Sequence, residues 1–147
     1  LDGESGTETY RRIGAGSCPP GGLDLNGTWY PPQRSGIGFS IVAGAGIESH
    51  AVYLYDDRGL RRWLVGSTSP FGAERLPLSA LSGSCPLCDY RSPQSVPAGE
   101  LLRSYGASGD EGRVNLSATL PGAFPGRWQF ELPIRKLTSP TGCTTAP

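Results

Sequence analysis

From Thr28 onward the apolar residues recur at every second position, the period of a strand with one buried face. In Ile37 to Ala43, "IGFSIVA", residues Ile37, Phe39, Ile41 and Ala43 fall on one side and Gly38, Ser40 and Val42 on the other. "AGAG" then predicts a turn. Ser49 to Tyr55 predicts a strand that is apolar or aromatic on both faces, closed by Asp57 and Gly59 in a tight turn, with Leu60 to Ser67 as its hairpin partner. Further on, Glu74 to Gly83 reads as an edge or bulged strand, because Pro77 has no N–H for a ladder. Ser84 to Glu100 reads as a Pro-rich loop pinned by its cysteines, and Leu101 to Gly109 fits either a strand or a short helix. The alternation then returns, with Val114, Leu116, Ala118 and Leu120 on one side of a strand and Trp128, Phe130, Leu132 and Ile134 on one side of the last. No segment sustains a 3.6-residue period. The expected fold class is all-β, an antiparallel meander of about seven to eight strands forming an up-and-down barrel or a two-layer sandwich.

Residues 1–25 are rich in Gly, Ser, Thr and acids, with one β-capable piece from Thr7 to Ile13, and read as an N-terminal arm or linker. Residues 26–147 read as a single β-domain, and a chain of 147 residues can bury about two-thirds of its extended surface. The 13 basic and 13 acidic residues cancel, so no clustered positive field favours a polyanion, and nucleic acid is excluded as a partner. The dipeptides Arg11-Arg12 and Arg61-Arg62 read as solvated faces. No apolar run approaches the roughly 18 residues that span a bilayer, and no signal-type segment opens the chain. Beginning at Leu1 with no Met anywhere, the chain reads as a mature or excised piece of a longer precursor.

The four cysteines imply disulfides and an oxidising compartment, secreted or at the cell surface. Cys18 precedes the first strand-like run and Cys143 follows the last, so a bridge between them would tie the ends of a disulfide-stabilised domain, leaving Cys85 and Cys88 to close a local loop. A redox Cys-x-x-Cys wants a helix N-terminus in a strand-and-helix alternation. Zinc wants a second such pair or more histidine than the single His50. Neither metal nor cofactor is expected.

The segment Gly27 to Ser67 resembles a module of secreted and cell-surface proteins of proteobacteria. Its pattern is a Trp-Tyr or Trp-Trp, a Pro-containing loop ending Ser-Gly-x-Gly-Phe, then an aromatic strand ending Tyr-Asp-x-x-Gly and a Trp-Leu-x-Gly. The matching positions are Trp29, Tyr30, Pro31, Ser35, Gly36, Gly38, Phe39, Tyr55, Asp56, Gly59, Trp63, Leu64 and Gly66. The resemblance implies a β-rich module of the kind appended to exported enzymes or repeated in tandem, and it implies no activity. A shorter likeness, "NGTWY" followed by "FSIVAGAG", is similar to the first strands of avidin and streptavidin and implies an up-and-down barrel.

Any nucleophile–histidine arrangement must pass through His50, and no Gly-x-Ser-x-Gly accompanies it. A structural or surface role is the reading for this residue. Glu48, Asp56, Asp57, Glu74 and Glu131 read as turn and surface carboxylates. The aromatics carry more. Alternation sends Phe39, Trp128 and Phe130 inward and leaves Tyr30 and one of Tyr53 and Tyr55 for the surface, where flat rings with a polar tip suit sugars or peptides. The binding candidates are therefore Tyr30, Tyr53 and Tyr55, with Arg34 and Ser35 from the loop at 31–36. The function expected is a non-enzymatic extracellular binding or adhesion module of a secreted bacterial protein. It would use that loop and residues 85–99 to meet a protein or glycan at a cell surface. The alternative is a self-assembling fibre or surface-layer subunit whose arm, through Thr7, Tyr10 and Ile13, adds a strand to a neighbour. A secreted hydrolase is the third reading. Membrane insertion is not expected, and the sequons Asn26-Gly-Thr28 and Asn115-Leu-Ser117 read as chance occurrences.

Overall fold

The period-two pattern resolves into eight antiparallel strands that pair in chain order and close into a barrel. They are β1 (Gly27–Tyr30), β2 (Gly38–Ala43), β3 (Glu48–Tyr55), β4 (Arg61–Thr68), β5 (Arg75–Ser82), β6 (Gln94–Tyr105), β7 (Glu111–Leu120) and β8 (Gly126–Lys136). A computed structural model describes residues 18–19, 21–44, 46–83, 88–120 and 125–138. Full closure leaves the barrel, not the sandwich, as the architecture, and no helix occurs among the described residues.

Register builds the core directly. Trp29 stands opposite Phe39, Phe39 opposite Val52 and Val52 opposite Leu64, so four strands contribute one inward row of apolar side chains. Leu76, Leu101, Leu116 and Ile134 continue the filling from β5 to β8, all fully buried or within 1% of it. Each such side chain contributes about 1.5–3 kcal/mol by leaving water. Trp128, Phe130 and Leu132 are partly buried against this core, on the side that the alternation indicates.

Between 84 and 109 one expectation is corrected and one open choice is decided. Strand β6 begins at Gln94, inside the stretch that its prolines made look like a loop, and Leu101 to Tyr105 is strand rather than helix. A bulge explains why the pattern was unreadable. Leu78 pairs with Gly99 but Ser79 pairs with Pro97, so Ala98 is an extra residue on β6. Gly99 has φ +152°, and a Cβ there would lie 2.0 Å from the Ser117 carbonyl oxygen, so only glycine fits. The extra residue resets the alternation, and Ala98, Leu101, Arg103 and Tyr105 all turn inward. Pro77 lies beside this irregularity, in a strand whose only register pair with β4 is Val65 with Ser79, as expected for a residue lacking an N–H.

Closure between β1 and β8 is short. Only Trp29 with Lys136 and Tyr30 with Arg135 pair before Pro31 and Pro32 end β1. The Leu137 N–H donates to Thr28 O at 2.7 Å and the Lys136 N–H to Asp110 O at 2.8 Å, so odd-numbered residues of β8 turn their backbone groups toward β1. Pro133 falls in that set, at the point where pairing has stopped, and beyond it Arg127, Gln129 and Glu131 face no paired strand on that side among the described residues.

The boundary expected at residue 25 also moves. Leu25 is fully buried, Leu23 packs on the core, and the Trp29 indole N–H donates to Leu25 O at 3.0 Å, so this end of the arm is part of the barrel. Asn26 extends the pairing with its side chain, accepting from Ala43 N at 2.9 Å and donating to Ala43 O at 3.1 Å. That use of the amide leaves the first sequon occupied by structure. Thr7, Tyr10 and Ile13 lie outside the described residues. No cysteine among the described residues is a free thiol. The pairing expected for Cys18 and Cys88 turns on Cys143 and Cys85, which lie outside them.

Candidate functional site

Polar and aromatic side chains gather beyond the needs of packing in two places, one inside the barrel and one on its wall. Inside, β3 begins and β6 ends at the same barrel end, bringing Glu48 and His50 together with Arg103 and Tyr105. Glu48 is 0% and His50 2% exposed. The Glu48 carboxylate accepts from His50 Nε2 at 2.7 Å, from Arg103 Nε at 2.8 Å and from the Tyr105 hydroxyl at 3.1 Å through Oε1, and from Arg103 Nη2 through Oε2. Arg103 Nη1 donates to the carbonyls of Ala73 and Glu74. A carboxylate can only accept, so the proton of the Glu48–His50 bond sits on Nε2. His50 Nδ1 is buried without a hydrogen-bond partner among the described residues.

Burial alone would raise the Glu48 carboxyl, but the hydrogen bonds and charges of Arg103 and His50 outweigh it and hold the group down to about 2. The Tyr105 hydroxyl is pushed well above its ordinary value by burial and by the Glu48 charge. These four residues include no serine, threonine or cysteine, and every Glu48 oxygen is engaged. The arrangement fixes the end of β6 to the start of β3 rather than presenting a base to solvent. His50 is thus buried, and Glu48, expected at the surface, is the most enclosed carboxylate described. Sequence reasoning missed Arg103 and Tyr105. It had a signal for the other two, since Glu48 and His50 share the parity of the inward Val52 and Leu54.

The second gathering lies on the outer wall over β2, β3 and β4. The register pairs Tyr53 with Trp63 on one side and with Gly38 on the other, and Tyr55 with Arg61. Directly opposed side chains stand about 5 Å apart and i, i+2 neighbours on a strand about 7 Å apart. The result is a two-by-two array, Tyr53 and Trp63 beside Tyr55 and Arg61. Tyr53 is 49%, Tyr55 52% and Trp63 50% exposed. Both tyrosines are therefore at the surface, not one of the two, because residues two apart on a strand share a face. Glycines open the groove beside them. Gly38 places no side chain next to Tyr53, and Gly36, at φ +84°, sits so close under Tyr55 that a Cβ would touch its ring at 3.5 Å.

The hairpin that carries the array is fixed by Asp56. Its Oδ1 accepts from Arg58 N at 3.0 Å and Leu60 N at 2.9 Å, and its Oδ2 from Arg62 Nη2 at 2.7 Å. Partial burial works against the charge, but these backbone donors and the arginines prevail and hold the carboxyl below its usual range. The expected Arg61-Arg62 solvated face is thereby divided, with Arg62 bound into the turn and Arg61 left exposed. From β8, the Trp128 indole N–H donates to Tyr55 O at 2.9 Å.

Of the other expected binding residues, Tyr30 is 38% exposed and its register carries it into line with Gly38, on the same outer row as Tyr53 and Trp63. Arg34 and Ser35 are exposed in the turn closed by the Arg34 N–H to Pro31 O, and the groove is lined instead by the next residues, Gly36 and Ile37. Trp63, a matching position of the resemblance, and Arg61 were not among the expected binding residues, although the hairpin register with Tyr53 and Tyr55 marks both. Among the described residues no three His, Cys, Asp or Glu side chains group so as to hold a metal. No protein-family model, curated protein or solved structure matches the chain. Within it, the positions of the secreted-module resemblance divide by role. Trp29, Phe39 and Leu64 fill the core, Asp56 and Gly59 shape the turn, and Tyr30, Gly36, Gly38, Tyr55 and Trp63 form the outer wall and groove.

Proposed function

We propose that this chain is a non-enzymatic extracellular binding module that holds its ligand against the outer barrel wall at Tyr53, Tyr55 and Trp63. The carrying observation is that three large aromatics stand half-exposed in adjacent register positions beside two glycines. An aromatic cluster left in water around a groove is the surface that ring stacking uses, and truncating such anchors commonly costs 2 kcal/mol or more of binding. The extracellular setting is part of the proposal and rests on the four cysteines of a turn-rich chain. On an array of polysaccharides and bacterial cell-wall fractions, the wild-type domain is expected to bind and Trp63→Ala to lose at least about tenfold in affinity. Thermal melting should stay within the small range typical of surface substitutions. Failure of the wild type to bind any surface overturns the reading.

The open stretch of β8 at Arg127, Gln129 and Glu131 favours the second reading, a self-assembling subunit. Sedimentation of the full chain should then show polymers that disappear, with the fold kept, when residues 1–16 are removed. A full chain that stays monomeric at all concentrations sinks this alternative.

A further inference from the structure

We infer that the groove of Tyr53, Tyr55 and Trp63 takes an acidic saccharide, one whose ring carries a carboxylate, and that Arg61 is the residue that reads the charge. This deepens the binding-module reading and rests on it.

The first ground is the charge of the groove. It is lined by Arg61 and Arg62 and by no acidic residue. Of the two carboxylates in the adjoining turn, Asp56 is spent on the Arg58 and Leu60 amides and on Arg62, and Asp57, exposed in that turn, is not among the residues that line the groove. Arg61, by contrast, is exposed, and no ion pair or hydrogen bond engages its guanidinium among the described residues. A planar fork of donors left without an acceptor beside stacking rings is complementary to a carboxylate.

The second ground is position. Arg61 and Trp63 are i, i+2 on the same outward face of β4, about 7 Å apart, and Arg61 stands directly opposite Tyr55. A sugar ring stacked on Trp63 and Tyr53 therefore places a ring substituent within reach of the guanidinium. The net charge of zero is consistent with this mode. Binding through one fixed ionic contact and ring stacking needs no positive field, so its salt dependence should be shallow, unlike that of a polyelectrolyte binder.

The probes are polygalacturonate, its methyl-esterified form and poly-glutamate, titrated calorimetrically against the wild-type domain, Arg61→Ala and Trp63→Ala, with melting curves as the check on folding. Arg61 is exposed and no ion pair or hydrogen bond engages its guanidinium among the described residues, so its replacement should leave the fold intact. Wild type is expected to prefer polygalacturonate over the ester by roughly tenfold, the size of one charge-assisted contact. Arg61→Ala should abolish that preference while retaining affinity for the ester, and Trp63→Ala should weaken both polymers. Equal binding of acid and ester by wild type overturns the acidic specificity and leaves the stacking groove standing. Tighter binding of poly-glutamate, lost in Arg61→Ala, overturns the saccharide class in favour of an acidic peptide. Binding of none of the three, or binding indifferent to Trp63→Ala, overturns the saccharide assignment at this groove.

Discussion

Glu48→Gln is expected to lower the unfolding free energy by about 3–5 kcal/mol, the cost of leaving one member of a buried ion pair without the other. The substitution keeps the shape of the side chain, so packing is not the cause. What changes is the acceptor set. Arg103, with a side chain 3% exposed, and His50 and Tyr105 all direct donors at two carboxylate oxygens, and glutamine offers one oxygen and an amide that is itself a donor. The guanidinium then stays charged inside the barrel with its carbonyl contacts at Ala73 and Glu74 and no counter-charge. Because removing both charges is far cheaper than removing one, Glu48→Leu combined with Arg103→Met should recover most of the loss. Urea unfolding at low temperature, arranged as a double-mutant cycle, measures both effects. A Glu48→Gln domain within 1 kcal/mol of wild type would show that the cluster is not a lock.

The same carboxylate sets the acid limit of the fold. Its folded value of about 2 lies below the ordinary 4.5, so the unfolded chain takes up the proton first as the pH falls. The stabilisation is complete above about pH 4.5 and drains away between there and pH 2, a loss of about 3 kcal/mol. Asp56, also held below its usual range, acts in the same direction. Urea midpoints measured from pH 6 down to pH 2.5 should therefore fall steeply for wild type and distinctly less for the Glu48→Leu, Arg103→Met pair. Parallel slopes for the two proteins would assign acid sensitivity elsewhere.

The outer groove was partly legible because it is built on a hairpin. Asp57 and Gly59 announce the turn, and strand alternation then places Tyr53 and Tyr55 on one face. Trp63 opposite Tyr53 follows only from the register that Asp56 enforces, and the contribution of Gly36 and Gly38 appears only when the preceding loop is laid beside β3. Inside the barrel less could be read. Glu48 and Arg103 are 55 residues apart, and no local pattern distinguishes an arginine that enters a barrel from one that leaves it. Proline content disguised the start of β6, and the extra residue at Ala98 broke the alternation that would have shown which way Arg103 and Tyr105 point.

Sequence alone determined the all-β class, the meander order and most of the apolar face, from Phe39 through Ile134, because a strand pairing with its chain neighbours needs only period-two patterning and turn residues. Only the tertiary structure decided closure into a barrel, the inward turn of Arg103 and Tyr105 onto Glu48, and the separation of Arg61 from Arg62. The physical reason is common to the first two, whereas Arg62 is set apart from Arg61 by its contact with Asp56 in the same hairpin. A bulge, a cross-barrel ion pair and a seam between first and last strands depend on residues far apart in the chain, whose energies exist only once the strands are in register.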